Sequence, residues 1–294
     1  MALPDSATSS AVEIRARRDF SSRLSGSRGL VIVLPIWPSP SHAESPHSLP
    51  IELPGTLVIS PHPDDAALSV GAVLSLALMP RPFVIVTVFS DSEAHATSPL
   101  GVSKLTNIRS REDQRYAALV GAALVTLGHA DALARHSCDS WETLASGDDD
   151  VAFVRDLTNE LQCLVNELDL DILLGPAAIG PHIDHRTARR ATEGVVANRT
   201  LVYADQPYAL VARDQSWTVH PGLVLVVDAA SRGAVQAKQA AAKMYPSQPA
   251  ARFYSEALDR VEPPSVIEAL YDARHAPTPS KGPREFMALR TVRS

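Results

Sequence analysis

Short apolar runs alternate with longer amphipathic stretches along the chain from residue 55 onwards. The apolar runs are rich in Val, Ile and Leu and are bounded by Gly, Pro or Asp, which is typical of buried strands. They predict strands over 56–60, 83–90, 123–127, 171–174, 200–203 and 222–227. The stretches between them repeat apolar residues at helical spacing and predict helices at about 65–79, 106–121, 150–168, 184–198 and 229–243.

The alternation of strand and helix predicts an α/β fold, with a doubly wound, mostly parallel, Rossmann-like sheet covered by helices on both faces. The 294 residues suit one such domain with extensions better than two domains. We place a partly flexible N-terminal extension at 1–50, the α/β domain at 51–250 and a C-terminal extension at 251–294 that packs on the domain or trails from it. One short helix is predicted in the C-terminal extension, at 264–272.

A short apolar run at 30–37 follows an arginine-rich N-terminal segment. As a secretion signal, this run would be the apolar core, with a cleavage site near 41–43. As part of an extension, it would pack on the domain as an added strand. Acidic residues before the run and Pro35 within it favour the added strand and a cytoplasmic protein. No run approaches the roughly 20 apolar residues that a membrane-spanning helix needs, so no stable membrane insertion is expected.

Composition narrows the choice of partners. The net charge is −6, the isoelectric point is about 5.9, and no basic stripe stands out. Nucleic acid is therefore not an expected partner. Cys138 and Cys163 form neither a disulfide framework nor a metal-binding spacing. A small-molecule substrate is the expected partner, and a homo-oligomer is left open.

Two clusters of histidine and aspartate each follow a predicted strand, the first directly after 56–60 and the second shortly after 171–174. Their members are His62, Asp64 and Asp65 in the first cluster and His182, Asp184 and His185 in the second. Because open α/β sheets bind ligands outside the carboxyl ends of their strands, we expect the two clusters to form one site. Histidine and carboxylate ligands with an open position for water suit a hydrolytic Zn²⁺ ion better than a structural one.

Within each cluster, the roles of metal ligand and of acid or base can be assigned to the residues in more than one way. One of Asp64 and Asp65 can bind the metal ion while the other acts as general base toward water. One of His182 and His185 can complete the metal shell while the other protonates a leaving group, and Asp184 can orient an imidazole. The competing interpretation is two polar turns in which Asp65 or Asp184 is a helix N-cap. The presence of both clusters, each after a buried strand, favours the metal site.

The two clusters stand in the motifs Pro61-His62-Pro63-Asp64-Asp65 and Pro181-His182-Ile183-Asp184-His185. Together these motifs resemble those of the PIG-L (LmbE-like) de-N-acetylases, Zn²⁺-dependent hydrolases that remove acetyl groups from N-acetylglucosamine-type amines. The resemblance extends from about residue 54 to residue 248. Shorter segments support it, namely Arg109, Glu112 and Val120-Gly121, then residues 203–208, then Lys238, Ala241, Tyr245, Ser247 and Gln248.

The resemblance implies a role for each residue of the two clusters. The metal ligands would be His62, Asp65 and His185. They would hold Zn²⁺, for which another divalent ion can substitute. Asp64 would be the general base that deprotonates the attacking water. His182 would stabilise the oxyanion or protonate the leaving amine, and Asp184 would hold His182.

The sequence also departs from the family pattern. Some members carry a Tyr at the position of Gly180, where it can donate a hydrogen bond to the oxyanion. Here His182 and the metal ion would carry that role, unless Tyr203 or Tyr208 reaches in. Ala204 stands where a Glu is usual, which removes one carboxylate near the rim of the site.

Substrate contacts are expected from polar residues near the strand ends, namely Asp91, Arg109, Arg111, Tyr203 and Asp205. The loops at 92–105 and 129–148 are long enough to act as lids over the site. Trp141 in the second loop offers a face on which a sugar can stack.

These residues and the resemblance predict a zinc-dependent hydrolase that removes an acetyl group from an N-acetylated amino sugar or a related small natural-product intermediate. An amidase acting on a thiol conjugate or a longer N-acyl amine is the alternative at the same site. A non-catalytic sugar- or metal-binding relative is the alternative of another class. Asp64 speaks against that relative, because a binding protein has no need of a general base.

Overall fold

The computed structural model of the chain describes residues 31–33, 55–91, 102–136, 150–211, 215–218, 220–258 and 265–277. Its strands are β1 (Val31–Val33), β2 (Thr56–Ser60), β3 (Phe83–Thr87), β4 (Ala122–Thr126), β5 (Ile172–Pro176), β6 (Arg199–Tyr203), β7 (Leu223–Asp228) and β8 (Val266–Asp272). Its helices are α1 (Asp65–Ser75), α2 (Val102–Val120), α3 (Ala132–His136), α4 (Val151–Leu168), α5 (Ile183–Gly194), α6 (Tyr208–Val211), α7 (Arg232–Ala242) and α8 (Pro249–Leu258). Short 3₁₀ turns occupy Gln215–Thr218 and Ala273–His275.

The described strands form one sheet of eight strands in the order β1-β4-β3-β2-β5-β6-β8-β7. The strands from β4 to β6 in this order pair in parallel. All six predicted strands are present, as β2 to β7, so the predicted mostly parallel α/β sheet is confirmed. Their buried runs of Val, Ile and Leu suit parallel strands that are covered on both faces.

The strand order reverses between β2 and β5. From β2 the chain proceeds to β3 and β4 on one side, and from β5 it proceeds to β6 on the other. Val58 of β2 lies opposite Leu174 of β5, so the carboxyl ends of these two strands are neighbours. Ligand sites of open α/β sheets lie at such reversals. Both His/Asp clusters therefore follow strands that end at this reversal of the strand order.

Helices cover both faces of the sheet. On one face the apolar core includes side chains of α1, α2, α7 and α8, among them Tyr116 and Tyr254. On the other face it includes side chains of α4 and α5, among them Leu161 and Ala188. Helices α4, α7 and α8 bury one stripe of residues each, as is typical of amphipathic helices, whereas α1 is buried on all sides from Asp65 to Leu74. No described helix has both the length and the apolar character that crossing a membrane requires.

The apolar run at 30–37 contributes the edge strand β1. Val31–Val33 pairs antiparallel with β4, and Ile32 lies opposite Val125. The structure therefore has the added strand that the sequence analysis weighed against a secretion signal.

The helix predicted at 264–272 is wrong, because β8 occupies Val266–Asp272. Five successive residues of β8, from Ile267 to Tyr271, are buried, as in a strand that is covered on both faces. The strand is antiparallel to both β6 and β7 and lies between them. Helix α8 was not predicted at all. The C-terminal segment thus supplies an interior strand of the sheet.

Helix α1, which starts at the first His/Asp cluster, is broken in its middle. Val70 has φ −134° and ψ 22°, which is not helical. The backbone N–H groups of Ala72 and Val73 donate instead to the carboxylate of Glu268 on β8, at 2.8 Å each. The ammonium group of Lys238 on α7 pairs with the same carboxylate. A buried charge from β8 therefore caps the second half of α1.

Candidate metal centre and active site

The first cluster lies in a turn that its own side chains hold in place. The hydroxyl of Ser60 donates to the carbonyl oxygen of His62 at 2.7 Å and accepts from the backbone N–H of Ala66 at 3.1 Å. The backbone N–H of His62 donates to Oδ2 of Asp65 at 2.8 Å. Asp64 has a positive φ of 102°. The turn therefore fixes the direction of each polar side chain at the end of β2.

The second cluster begins helix α5 with a histidine cap. Nδ1 of His182 accepts a hydrogen bond from the backbone N–H of Asp184 at 3.2 Å, and His182 is the N-cap residue. Asp64 occupies the N-cap position of α1 without a side-chain cap bond. Asp65 and Asp184 are thus not the N-cap residues that the alternative interpretation of two polar turns assigned to them.

The structure brings the two clusters together around Asp65. Oδ2 of Asp65 lies 3.3 Å from Nδ1 of His62 and 3.3 Å from Nε2 of His185. The ligand atoms of these three residues all lie within 4.8 Å of one another. Two imidazole nitrogens and one carboxylate oxygen, with room for a further ligand, match the donor set of a catalytic zinc site.

A second grouping of possible ligands shares His62 with the first. It consists of His62, His182 and Asp184, whose ligand atoms also lie within 4.8 Å of one another. Asp184 is already engaged there, because Oδ1 accepts from Arg135 at 2.7 Å and Oδ2 accepts from the backbone N–H of Ala132 at 3.0 Å. A metal ion at Asp184 would meet the charge of the Arg135 guanidinium. The grouping around Asp65 is therefore the better candidate.

Asp205 lies behind His185. Oδ1 of Asp205 is 2.7 Å from Nδ1 of His185, which turns Nε2 toward Asp65, and Oδ2 accepts from the backbone N–H of Ile179 at 2.9 Å. A carboxylate in this position fixes the orientation of a metal-binding imidazole. Asp205 is fully buried. Its predicted contact with substrate is therefore corrected to a contact with His185.

The carboxyls of Asp64 and Asp65 have opposite pKa shifts. Burial, and then the charge of Asp65, raise the pKa of Asp64 well above its usual range. Burial alone would also raise the pKa of Asp65, but the charge of His185 and hydrogen bonds with His185 and His62 lower it below its usual range. Neighbouring carboxyls whose pKa values are pushed apart can serve as base and as ligand.

His182 lies beside the other two imidazoles of the site, 4.7 Å from His62 and 5.0 Å from His185 between ring centroids. Burial, and then the charges of His62 and His185, lower the pKa of His182 well below its usual range. Because Nδ1 accepts from the backbone, the proton of the neutral ring belongs on Nε2. His182 is thus a hydrogen-bond donor through Nε2.

The carboxylate of Asp184 contacts the ring of His62. Its Oδ2 lies 2.9 Å from Nε2 of His62. Hydrogen bonds with Asp184 and Asp65 raise the pKa of His62 to about 9, although burial opposes them. The prediction that Asp184 holds His182 is corrected accordingly: its side chain orients His62, and its backbone N–H bonds His182.

Of the other predicted substrate contacts, Arg109 lines the cleft at the site. Arg111 and Asp91 are exposed and lie outside the cleft lining. Tyr203 is fully buried, and its hydroxyl donates to the carbonyl oxygen of Ile59 at 2.8 Å. The predicted substrate contact of Tyr203 is therefore wrong, because its hydroxyl joins β6 to β2.

The proposed lids fall largely outside the described residues, including 92–101 and 137–149 with Trp141. Residues 102–105 belong to α2, and Ala132–His136 form α3.

Two of the supporting segments of the sequence meet beside the cleft. The guanidinium of Arg109 donates to Oε1 of Gln248 at 3.0 Å, and Glu112 accepts from the backbone N–H of Ser247 at 2.8 Å. The hydroxyl of Tyr245 donates to Asp113 at 2.7 Å. One face of α2 therefore holds the turn between α7 and α8 against the site.

Sequence analysis missed two residues at the site and named a third only as an alternative. Asp131 lines the cleft and is nearly buried. Arg135 lies over the rings of Phe89 and Phe153, at 4.5 and 4.8 Å, while it bonds Asp184. Tyr208, named only as an alternative, also lines the cleft. A signal existed for Asp131, because it follows β4, a third parallel strand whose end opens on the same edge of the sheet.

One cleft contains residues of both clusters. Its walls are His62, Pro63, Asp64, Asp65, Leu68, Arg109, Asp131, His182, His185, Pro207, Tyr208, Gln248 and Ala250.

The sequence is similar to those of known deacetylases. The PIG-L family model, described as GlcNAc-PI de-N-acetylase, matches residues 57–196. The 2'-N-acetylparomamine deacetylase of Streptomyces fradiae is 34% identical over 205 residues, which are 66% of this chain and 73% of that protein.

Two solved structures share the fold. The zinc-inhibited form of teicoplanin deacetylase has a TM-score of 0.56 at 21% identity, over 74% of this chain and 96% of that chain. The N,N'-diacetylchitobiose deacetylase from Pyrococcus horikoshii has a TM-score of 0.51 at 15% identity, over 81% of this chain and 89% of that chain.

Proposed function

This chain belongs to the PIG-L family of de-N-acetylases, and on that premise we propose that it removes the acetyl group from an N-acetylated amino sugar with the help of a bound Zn²⁺ ion. One observation carries the proposal: His62, Asp65 and His185 converge at the floor of a cleft, with Asp64 beside them. Similarity to 2'-N-acetylparomamine deacetylase supports an amino-sugar substrate.

The residues present fit a catalytic zinc ion. His62, Asp65 and His185 would hold it, and Asp205 already orients His185 from behind. Three protein ligands leave a position open, as in hydrolytic zinc sites. When bound, such an ion lowers the pKa of a coordinated water and polarises the carbonyl of the substrate.

Asp64 is the proposed general base. It lines the cleft next to Asp65, and burial raises its pKa well above the usual range. A base whose pKa lies closer to neutral holds the proton of the attacking water more readily than an ordinary aspartate. Water then adds to the carbonyl carbon of the acetamide, and Asp64 takes up the proton.

His182 is the proposed partner of the leaving amine. Its Nε2 carries the proton of the neutral ring, and it lines the same cleft. It stabilises the tetrahedral intermediate by hydrogen bonding. The proton that Asp64 took from the water passes to the amine nitrogen as the C–N bond breaks, while Nε2–H of His182 stays hydrogen-bonded to the intermediate; the free amine leaves together with acetic acid, which ionises to acetate.

Arg109 and Asp131 are the proposed contacts for the hydroxyl groups of the sugar. Both line the cleft, and their charges interact with each other. A guanidinium and a carboxylate together offer donors and acceptors to neighbouring hydroxyl groups.

The test is metal content by elemental analysis, combined with acetate release from 2'-N-acetylparomamine and N-acetylglucosamine. We expect roughly one zinc ion per chain and acetate from at least one of these compounds. Activity should vanish with a chelator and return with Zn²⁺. A folded, zinc-loaded protein that releases no acetate from either compound contradicts the proposed reaction, and a protein that binds no divalent ion contradicts the ligand set.

A further inference from the structure

We propose that Arg135 is a positioning residue, which holds the carboxylate of Asp184 in the orientation that fixes the ring of His62. The inference rests on the proposed zinc site, in which His62 is a ligand. A group that orients a metal-binding imidazole contributes to the affinity for the metal ion, although it does not bind the ion itself. Arg135 thus affects metal binding through Asp184 and His62.

The two ring nitrogens of His62 face different carboxylates. Nδ1 lies 3.3 Å from Oδ2 of Asp65, and Nε2 lies 2.9 Å from Oδ2 of Asp184. A neutral imidazole binds a metal ion through one nitrogen while the other nitrogen carries the proton. A zinc ion shared by His62 and Asp65 would therefore use Nδ1, and the Nε2–H of His62 would donate to Asp184.

Arg135 fixes the other oxygen of the same carboxylate. Its Nη2 donates to Oδ1 of Asp184 at 2.7 Å, and its Nη1 donates to the carbonyl oxygen of Ala130 at 2.7 Å. Asp184 is fully buried, where an ionised carboxylate needs an opposite charge and hydrogen bonds. Without the guanidinium, the carboxylate would lose a charged partner and could turn away from His62.

Two aromatic rings hold the guanidinium of Arg135. Its central carbon lies 4.5 Å from the ring centroid of Phe89 and 4.8 Å from that of Phe153. A guanidinium over aromatic faces is attracted to them electrostatically. The ring centroid of Phe89 also lies 5.8 Å from that of His62. Phe89 therefore contacts both ends of the series Arg135, Asp184 and His62, which is in place before a metal ion binds.

The decisive variant is Arg135→Met, which keeps an unbranched side chain between the two aromatic rings but removes the charge and the donors. We expect the dissociation constant for zinc to rise about tenfold, the lower end of the range for groups behind metal ligands. Competition with a chromophoric chelator measures it. Arg135→Lys keeps the charge without the planar fork, so it should lose less affinity than Arg135→Met.

Arg189→Met is the matched control. It removes a nearly buried guanidinium that pairs with Glu193 on α5, the helix that also carries Asp184, but Arg189 lies outside the cleft lining. We expect its zinc affinity to equal that of the wild type. Arg135→Lys, the milder change, carries the same comparison if Arg135→Met does not fold.

A double-variant cycle separates positioning from a general effect on the fold. In Asp184→Asn, the carboxylate that accepts from His62 is already lost. Arg135→Met should therefore cause no further loss of zinc affinity in that background. Full multiplication of the two losses would show that Arg135 acts by another route and would overturn the proposal.

A further measurement needs neither zinc nor substrate. In the metal-free protein, the proton that joins Nε2 of His62 to Asp184 should give a downfield imidazole resonance in proton NMR. Its absence in His62→Gln assigns it. We expect the resonance to be lost in Arg135→Met and retained in Arg189→Met.

The outcomes separate the role of Arg135 from the proposed reaction. Wild-type zinc affinity in Arg135→Met, or an unchanged imidazole resonance, would overturn the role of Arg135 even if the wild type releases acetate. If the wild type releases no acetate but Arg135→Met loses zinc affinity and the resonance, the reaction has failed while the positioning role stands. If the wild type binds no zinc, the resonance alone decides whether Arg135 positions His62.

Discussion

Backbone strain marks Asp64 at the scale of single residues. Its φ of 102° lies where side chains are rarely found, although Asn and Asp are enriched among the exceptions. Hydrogen bonds of Ser60 and Asp65 hold the turn on either side. Strain that the surroundings maintain is frequent at functional groups. The strain at Asp64 is thus consistent with its proposed role as general base.

Asp64→Asn tests that role without changing the shape of the turn, because Asn also tolerates positive φ. We expect kcat to fall about 10²–10⁴-fold, the usual contribution of a general base, while zinc content stays near that of the wild type. Steady-state kinetics and elemental analysis give both values. Asp156→Asn, an exposed change on α4, is the control. Loss of zinc in Asp64→Asn would instead make Asp64 a ligand.

Asp205→Asn tests the support of His185 by a buried carboxylate. The change removes the negative charge that holds Nδ1 of His185. We expect the zinc affinity to fall about 10–100-fold, as when such supporting groups are lost elsewhere. Competition with a chromophoric chelator measures it. Asp150→Asn is the control, because Asn caps α4 as well as Asp does. An unchanged zinc affinity would argue against His185 as a ligand.

At the scale of elements, one ion pair joins three parts of the fold. Glu268 of β8 caps the break in α1, and Lys238 of α7 pairs with it, both fully buried. Burial lowers the pKa of Lys238 to about 8, while it raises that of Glu268 above its usual range. Loss of either partner would leave an uncompensated buried charge, which is far more costly than loss of the pair.

Glu268→Gln should therefore reduce the free energy of unfolding by about 3–5 kcal/mol. The double variant Glu268→Gln with Lys238→Met should be less destabilised than Glu268→Gln alone, because no charge is left buried. Urea denaturation measures both. Glu256→Gln removes the exposed pair of Arg252 and Glu256 on α8 and should cost less than about 1 kcal/mol. Equal losses of unfolding free energy in Glu268→Gln and Glu256→Gln would contradict the explanation that a buried unpaired charge causes the loss.

At the scale of the whole molecule, the sheet joins the C-terminal segment to the domain. β8 lies between β6 and β7, so β7 reaches the rest of the sheet only through β8. A chain that ends at residue 264 would lack β8. Strand β7 would then have no neighbouring strand, and α1 would lose the cap that Glu268 provides.

We expect that chain to lack a cooperative unfolding transition, whereas a chain ending at residue 277 keeps β8 and should unfold cooperatively. Near-UV circular dichroism and thermal unfolding compare the two. Cooperative unfolding of the shorter chain would show that β8 is dispensable.

Local patterns were sufficient for most elements and for the two clusters. The strands β2 to β7 have continuous apolar runs, and His62 and His185 follow two of them. The prediction failed at β8, whose strand state depends on the gap between β6 and β7 rather than on a local pattern. The contacts of Asp205 and Tyr203 also escaped prediction, because proximity along the chain does not tell whether a polar side chain faces the cleft or the interior.

The sequence by itself determined the class of fold, the positions of the strands β2 to β7 and the two His/Asp clusters that follow strand ends, because these follow from periodicity and from motifs a few residues long. Only the tertiary structure decided which partners those residues have. Asp184 contacts His62 and Arg135, Asp205 lies behind His185, and the ring of Tyr208 fills the space beside Gly180. Such contacts depend on strand register and on packing between segments far apart in sequence, which no local pattern encodes.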